Sequence, residues 1–151
     1  MGKKKVAQQT EGDALKAQSA VDAKVQAAGT GSKKSKKIEK GRVYISASYN
    51  NTVITVTDEQ GNVLAWASAG SLGFNGPKKA TPFASSKVIT AITEKLKNTG
   101  LTTVEVFVKG VGGGRDSAMR SLVNQGFNVI GFRDITPIPH NGPRPRKVRR
   151  V

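Results

Sequence analysis

The sequence predicts an α/β domain, a mixed sheet of element order βββαβαβ, held between a basic N-terminal arm and a basic C-terminal arm. Three observations predict it. Apolar and polar residues alternate over consecutive short segments between residues 42 and 69, which is the period of a strand. Two stretches of helical spacing follow, each stopped by a glycine and each leading into a further alternating segment. The two ends of the chain combine high charge with few large apolar residues.

Residues 1–40 form the first segment. They are rich in Lys, Ala, Gln, Ser and Gly and hold no aromatic residue, so they bury too little apolar surface to offset the entropy of ordering. Asp13 to Ala28 favours helix by composition, with Leu15, Val21 and Val25 as a thin stripe. This arm is expected to be disordered alone and helical when bound.

The α/β domain is expected over residues 41–135. From Arg42 to Tyr49, Val43, Ile45 and Ala47 alternate with Tyr44, Ser46 and Ser48. The pair Asn50-Asn51 marks a turn, and Thr52 to Thr57 is β-branched throughout, a second strand. Asp58 to Asn62 reads as a hairpin loop in which Gly61 supplies a positive φ. Val63 to Ala69 is the third strand and carries the only Trp, Trp66. Three strands on short turns predict an antiparallel meander.

After a loop from Gly70 to Lys79, Thr81 suits a helix N-cap and Pro82 the first helical position. Val88, Ile92 and Leu96 recur at helical spacing, Phe83 and Ile89 widen the stripe, and Gly100 ends it. Thr103 to Lys109 is a fourth strand, with Val104, Val106 and Val108 on one face. Arg115 to Gln125 is a shorter helix with Met119, Leu122 and Val123 inward, stopped by Gly126, and Phe127 to Ile135 is the last strand. Strand–helix–strand crossovers favour parallel pairing. In the arm of residues 136–151, Pro137, Pro139, Pro143 and Pro145 forbid helix and ladder.

The formal charge is +15, with 25 Lys and Arg against 10 Asp and Glu. Residues 1–40 contribute +6, residues 41–134 contribute +4 and residues 135–151 contribute +5, so the excess is concentrated in the arms. Such a charge calls for a polyanionic partner, with nucleic acid ahead of a membrane surface. No apolar run approaches the ~20 residues that span a bilayer. The start MGKKKVAQQT has no apolar h-region, and Val6 stands where N-myristoylation needs Ser or Thr. With no Cys there is no disulfide and no thiolate metal site. The expectation is a cytoplasmic protein with no cofactor, no metal and no small-molecule substrate.

Gly110-Val111-Gly112-Gly113-Gly114-Arg115-Asp116 lies between a strand and a helix, where backbone amides can hold phosphate. The dinucleotide fingerprint G-x-G-x-x-G fails, because its sixth position is Arg115 from Gly110 and Ser117 from Gly112. A P-loop ending is absent too. What remains is either a tight turn or a backbone phosphate contact to which Arg115 adds a fork of donors. Lys78 and Lys79 precede the positive end of the first helix, as a phosphate grip or a solvated patch.

Arg144, Arg146, Lys147, Arg149 and Arg150 alternate with prolines and small residues and have no acidic neighbour, which predicts nucleic-acid contact. His140, the only His, has no acid in its Pro-rich surroundings to orient it, so stacking or hydrogen bonding to RNA is expected rather than catalysis. The six acids of residues 41–134 form no cluster of the kind a two-metal nuclease needs. Of the eight aromatic residues, Trp66 is assigned to the core, while Phe74 stands between core and base-stacking roles.

Four runs carry a resemblance: Tyr49-Asn50-Asn51-Thr52, Lys79-Ala80-Thr81-Pro82-Phe83-Ala84, the glycine loop ending in Arg115, and Asp134-Ile135-Thr136-Pro137-Ile138-Pro139-His140-Asn141-Gly142 with its basic end. Over about residues 38–151 the chain resembles the family of ribosomal protein eleven of the small subunit, bacterial type. The resemblance implies a ribonuclease-H-like domain without that fold's catalysis, seated on the platform of the 30S subunit and bridging helices of 16S ribosomal RNA. It implies ribosomal proteins seven and eighteen as neighbours and a part in the cleft that holds the Shine–Dalgarno duplex of the mRNA. Carried over by position, RNA contacts fall on Asn50, Asn51, Lys78, Lys79, Arg115, His140, Asn141, Gly142, Arg144, Arg146, Lys147, Arg149 and Arg150. The chain departs from the family's G-P-G-P-G-R in the glycine loop, where Val111 and Gly113 replace the prolines and leave the loop less pre-organised. Asn141-Gly142 is open to backbone attack on the Asn amide, or is an ordinary turn.

Two readings from other classes compete. A metal-dependent nuclease would depend on Asp58 or Asp134, and a free DNA-compacting protein would prefer duplex DNA over structured RNA.

Overall fold

The computed structural model describes residues 19–23, 25 and 38–148. Its elements are β1 (Lys40–Ala47), β2 (Thr52–Asp58), β3 (Val63–Ser68), α1 (Pro82–Leu96), β4 (Thr103–Lys109), α2 (Gly114–Asn124) and β5 (Asn128–Asp134). A short 3-10 turn, Gly76–Ala80, interrupts the loop before α1. The five strands form one sheet in the order β3-β2-β1-β4-β5. β1, β2 and β3 pair antiparallel as a meander, while β4 lies parallel to β1 and β5 parallel to β4. This is the mixed α/β arrangement, ribonuclease-H-like, that the resemblance implies.

Period-two alternation decides which face is buried. Val43 and Ile45, Ile54 and Val56, and Val104, Val106 and Val108 point to the helix side and are buried. Val88, Ile89 and Ile92 of α1 and Ala118 and Leu122 of α2 close the core over them. Each fully buried Val, Ile or Leu contributes roughly 1.5–3 kcal/mol. The punctuation works as read: the Ala84 N–H donates to Thr81 Oγ1 at 3.3 Å, capping α1. Gly100 and Gly126 take φ of 76° and 87° beyond the two helices.

Three core assignments are corrected. Trp66 is 57% exposed, because Ala65 and Ala67 on either side of it point inward. Phe83 sits on the rim, edge-on to half-buried Phe74 with 6.0 Å between centroids, and Lys87 Nζ lies 5.8 Å above its ring. Val123 is exposed, since α2 packs through Gly114, Ala118 and Leu122, a stripe at intervals of four that turns Val123 outward.

The N-terminal arm also differs from expectation where it is described. Residues 19–23 and 25 are helical, and Val21 and Val25 are buried members of the main core cluster. They stand four residues apart on one helical side, and Asp22 accepts a hydrogen bond from Lys87 Nζ at 2.5 Å. Two valines and one ion pair thus dock a segment whose composition alone predicts disorder. Leu15, the third residue of the expected stripe, lies outside the described residues.

Candidate nucleic-acid interface

The sheet polarity gathers the candidate residues at one end. The last residues of the parallel strands β1, β4 and β5, the start of β2 and the end of β3 all lie there. So do the first turns of α1 and α2, joined by a Ser85–Ser117 hydroxyl contact of 2.5 Å, while a hydrogen bond of 2.9 Å from Ser121 Oγ to Ser86 Oγ ties the two helices further along α2. Two helix N-termini therefore direct their partial positive charge toward the same rim.

The glycine loop is clamped between its neighbours. The Gly112 N–H donates to the Ala47 carbonyl at 3.0 Å. A Cβ on Gly110 would lie 2.2 Å from the Ala47 oxygen, and one on Gly112 would lie 2.2 Å from the Ser48 oxygen. A Cβ on Gly114 would lie 2.4 Å from Thr52 Oγ1. Positions 110 and 112 require glycine by close approach of backbone, and position 114 by the buried Thr52 and Ser85 side chains packed against it. Gly113 does not: its φ is −63°, and an added Cβ would meet only Ala80 O, at 3.6 Å.

Asn50 and Asn51 fall in the turn beside this loop. Ser48 and Asn51 close the turn mutually, with Ser48 N–H donating to Asn51 O at 2.9 Å and Asn51 N–H donating to Ser48 Oγ at 3.0 Å. Asn50 is exposed, whereas Asn51 is half-buried and its Oδ1, like Thr52 Oγ1, is buried with no hydrogen-bond partner among the described residues. Lys78 occupies the exposed 3-10 turn, and Lys79, half a turn from the Thr81 cap, runs its stem over Gly70.

Arg115 is differently engaged from the free fork that the sequence suggests. Its Nη1 donates to Gly110 O at 2.9 Å and its Nη2 to Asp134 Oδ2 at 2.8 Å. It thereby ties the glycine loop to the end of β5, and only its remaining N–H groups face outward. Asp134 also accepts from the Thr136 hydroxyl at 2.6 Å and the Thr136 N–H at 2.8 Å. These bonds, Thr136 first and Arg115 next, hold its carboxyl well below the usual carboxylate range. Thr136 Oγ1 in turn accepts from the Gly110 N–H at 3.1 Å, so the arm leaves the domain from the loop itself. Ser48, Gly112 and Thr136 act through contacts between loops distant in the chain, for which no local sequence signal exists.

His140, Asn141, Gly142, Arg144, Arg146 and Lys147 lie in an exposed stretch with no helix or strand. Asn141 takes φ of 56°, a left-handed bend that Asn tolerates, and it redirects the arm at Gly142. Arg149 and Arg150 lie outside the described residues.

The carboxylates named for a nuclease stand apart. Asp58 pairs with Gly41 at the start of β1, and Asp134 pairs with Val108 at the end of β4, so they occupy opposite ends of the sheet. Asp58 is used in its hairpin, accepting from Asn62 Nδ2 at 2.9 Å and from the Asn62 and Gln60 amides at 2.8 and 2.9 Å, which lowers its pKa. Among the described residues no three His, Asp or Glu converge as a metal site, and no helix is long and apolar enough to cross a membrane.

Residues 41–150 match the family described as Ribosomal protein S11. The small ribosomal subunit protein uS11 of Treponema pallidum (strain Nichols) is 59% identical over 119 residues, 79% of this chain and 94% of that protein. The protein of the same name from a Nitratiruptor species is 55% identical over 117 residues, 77% of this chain and 90% of that protein. With a match over most of its length and relatives this close, the chain belongs to the ribosomal protein S11 family.

Proposed function

We propose that the loop end of the sheet and the C-terminal arm together grip 16S ribosomal RNA on the platform of the 30S subunit. As a member of its family the chain is a structural, non-enzymatic constituent of the small ribosomal subunit. The finer reading rests on one observation above all. Four segments far apart in sequence, the turn at Asn50, the Lys78-Lys79 turn, the glycine loop and the root of the basic arm, meet at one rim with two helix N-termini.

In this reading Asn50, Lys78 and Lys79 contact phosphate and sugar, with the outward N–H groups of Arg115 beside them. Asn51 holds its turn and His140, Asn141 and Gly142 set the path of the arm. Arg144, Arg146, Lys147, Arg149 and Arg150 supply most of the counterion release. The rim would bridge RNA helices by their shape and backbone, beside ribosomal proteins seven and eighteen, and help form the Shine–Dalgarno cleft. The setting would be the bacterial cytoplasm.

Binding to a platform-domain RNA across a salt series tests this, with and without the neighbouring proteins, against scrambled RNA and duplex DNA. Preference for the platform RNA is expected, with a log–log salt slope steeper than roughly −4. Equal binding to all three would defeat the reading and favour a DNA-compacting protein. Deleting residues 140–151 should impair uptake into 30S particles.

A further inference from the structure

Opposite the helices, one row of side chains runs in register across all five strands: Trp66, Thr55, Tyr44, Phe107 and Arg133. The Tyr44 and Phe107 rings stack with 5.0 Å between centroids and 16° between planes. From the β5 side the Arg133 guanidinium lies 5.6 Å from the centre of Phe107. Tyr44 has its other neighbour in Thr55, a small side chain, and beyond Thr55 stands Trp66, more than half exposed. Neighbouring strands are ~4.8 Å apart, so Tyr44 and Trp66 flank a notch about two strand spacings wide. Thr55 is its floor.

Cross-strand pairing accounts for Tyr44 and Phe107, which stabilise the sheet by their own contact. It does not account for Trp66, which the gap over Thr55 separates from the stack. The rows on either side are mostly polar and basic. One holds Ser46, Ser68 and Lys109 with Val53, and the other presents Arg42, Glu105 and exposed Val63, with Thr57 buried between them. Glu105 is paired with Arg133 at 3.4 Å, so Arg42 and Lys109 leave the face positive. An apolar protein surface finds little to match in those rows. A polyanion bearing flat rings finds aromatic faces in the middle and cations at both margins.

We propose that this face is a second RNA site, separate from the loop rim, which takes unpaired nucleotides. One base enters the notch between Tyr44 and Trp66, and Arg42 and Lys109 hold the flanking phosphates. Duplex RNA is refused because its bases are already stacked and paired. The inference rests on the reading of RNA as the ligand of this chain.

Trp66 is the only Trp, so its emission reports on this face alone. The full chain is titrated with single-stranded octa-adenylate and with an RNA duplex of the same length, binding being followed separately by anisotropy of labelled RNA. Octa-adenylate is expected to quench Trp66 to saturation, and the duplex is expected to bind through the basic arms without quenching. Tyr44→Ala should weaken octa-adenylate about 5- to 150-fold and leave duplex binding unchanged. Tyr44→Phe, which keeps the ring and the fold, should bind as the parent does. Absence of quenching, or unchanged affinity in Tyr44→Ala, overturns the site. An emission change produced only by neighbouring ribosomal proteins also overturns it, by making the occupant a protein. Loss of quenching with platform-RNA preference intact faults this site alone, whereas intact quenching without that preference faults the platform reading alone.

Discussion

Arg115 donates to Asp134 at 2.8 Å across the end of β4, closing the glycine loop against the last strand. The bond joins two residues that the sequence assigns to different uses, a phosphate fork and, in the nuclease alternative, a catalytic carboxylate. Breaking it should release the root of the arm. Because its hydrogen bonds depress the Asp134 pKa below the unfolded value of about 3.9, the carboxylate stabilises the fold at neutral pH. That contribution is lost as pH falls below the unfolded value toward the folded one. Asp134→Asn should therefore lower the urea midpoint at pH 7, and the difference from the parent should shrink steadily as the pH is taken below 4.

The glycine loop separates two kinds of glycine. Gly112→Ala places a methyl 2.2 Å from the Ser48 carbonyl oxygen, a backbone atom that cannot rotate away. A loss of about 1–3 kcal/mol is expected. Gly113 already has a φ of −63°, so Gly113→Pro should stabilise by about 0.4–1 kcal/mol through the unfolded state. Denaturant unfolding of both variants checks the pair, and equal effects would contradict the packing.

Thr52 is fully buried, and its hydroxyl has no hydrogen-bond partner among the described residues. Val has nearly the same shape and removes the unpaired group, so Thr52→Val should gain about 1 kcal/mol in thermal or urea unfolding. A loss would mean that the hydroxyl is satisfied in solution.

Arg144, Arg146 and Lys147 stand exposed along the arm with no acid beside them. Replacing all three by Ala should weaken platform-RNA binding and flatten the log–log salt slope by about two to three units, at roughly 0.7–0.9 per phosphate contact. The folded domain should melt as before. An unchanged slope would remove these residues from the interface.

The order of elements was legible because its signals are local. Alternation in β1 to β3, the Thr81-Pro82 start and the stops at Gly100 and Gly126 each depend on a few neighbouring residues. Which side of an apolar stripe is covered was not legible, because it depends on where a neighbour ends. Val123 lies off the buried stripe of α2 and is exposed, and Trp66 lies on the face of the sheet away from the helices. The candidate site divides in the same way. Exposed Lys78 and the basic arm follow from composition, whereas the partner of Arg115 lies nineteen residues along the chain and appears only once β5 is in register. The docking of Val21 and Val25 was equally hidden, since two valines weigh little until a surface is there to receive them.

The central place of β1 has a consequence for the chain as it is made. Only four residues separate β1 from β2, yet β4, its neighbour on the other side, begins at Thr103. The meander can close within microseconds as local hairpins, whereas the β1–β4 pairing waits for a loop of more than fifty residues. Until then one edge of β1 offers an unpaired ladder to any passing strand. The hazard for a newly synthesised chain lies along that edge, and a binder that shields residues 40–47 would protect the protein while it waits for its place in the particle.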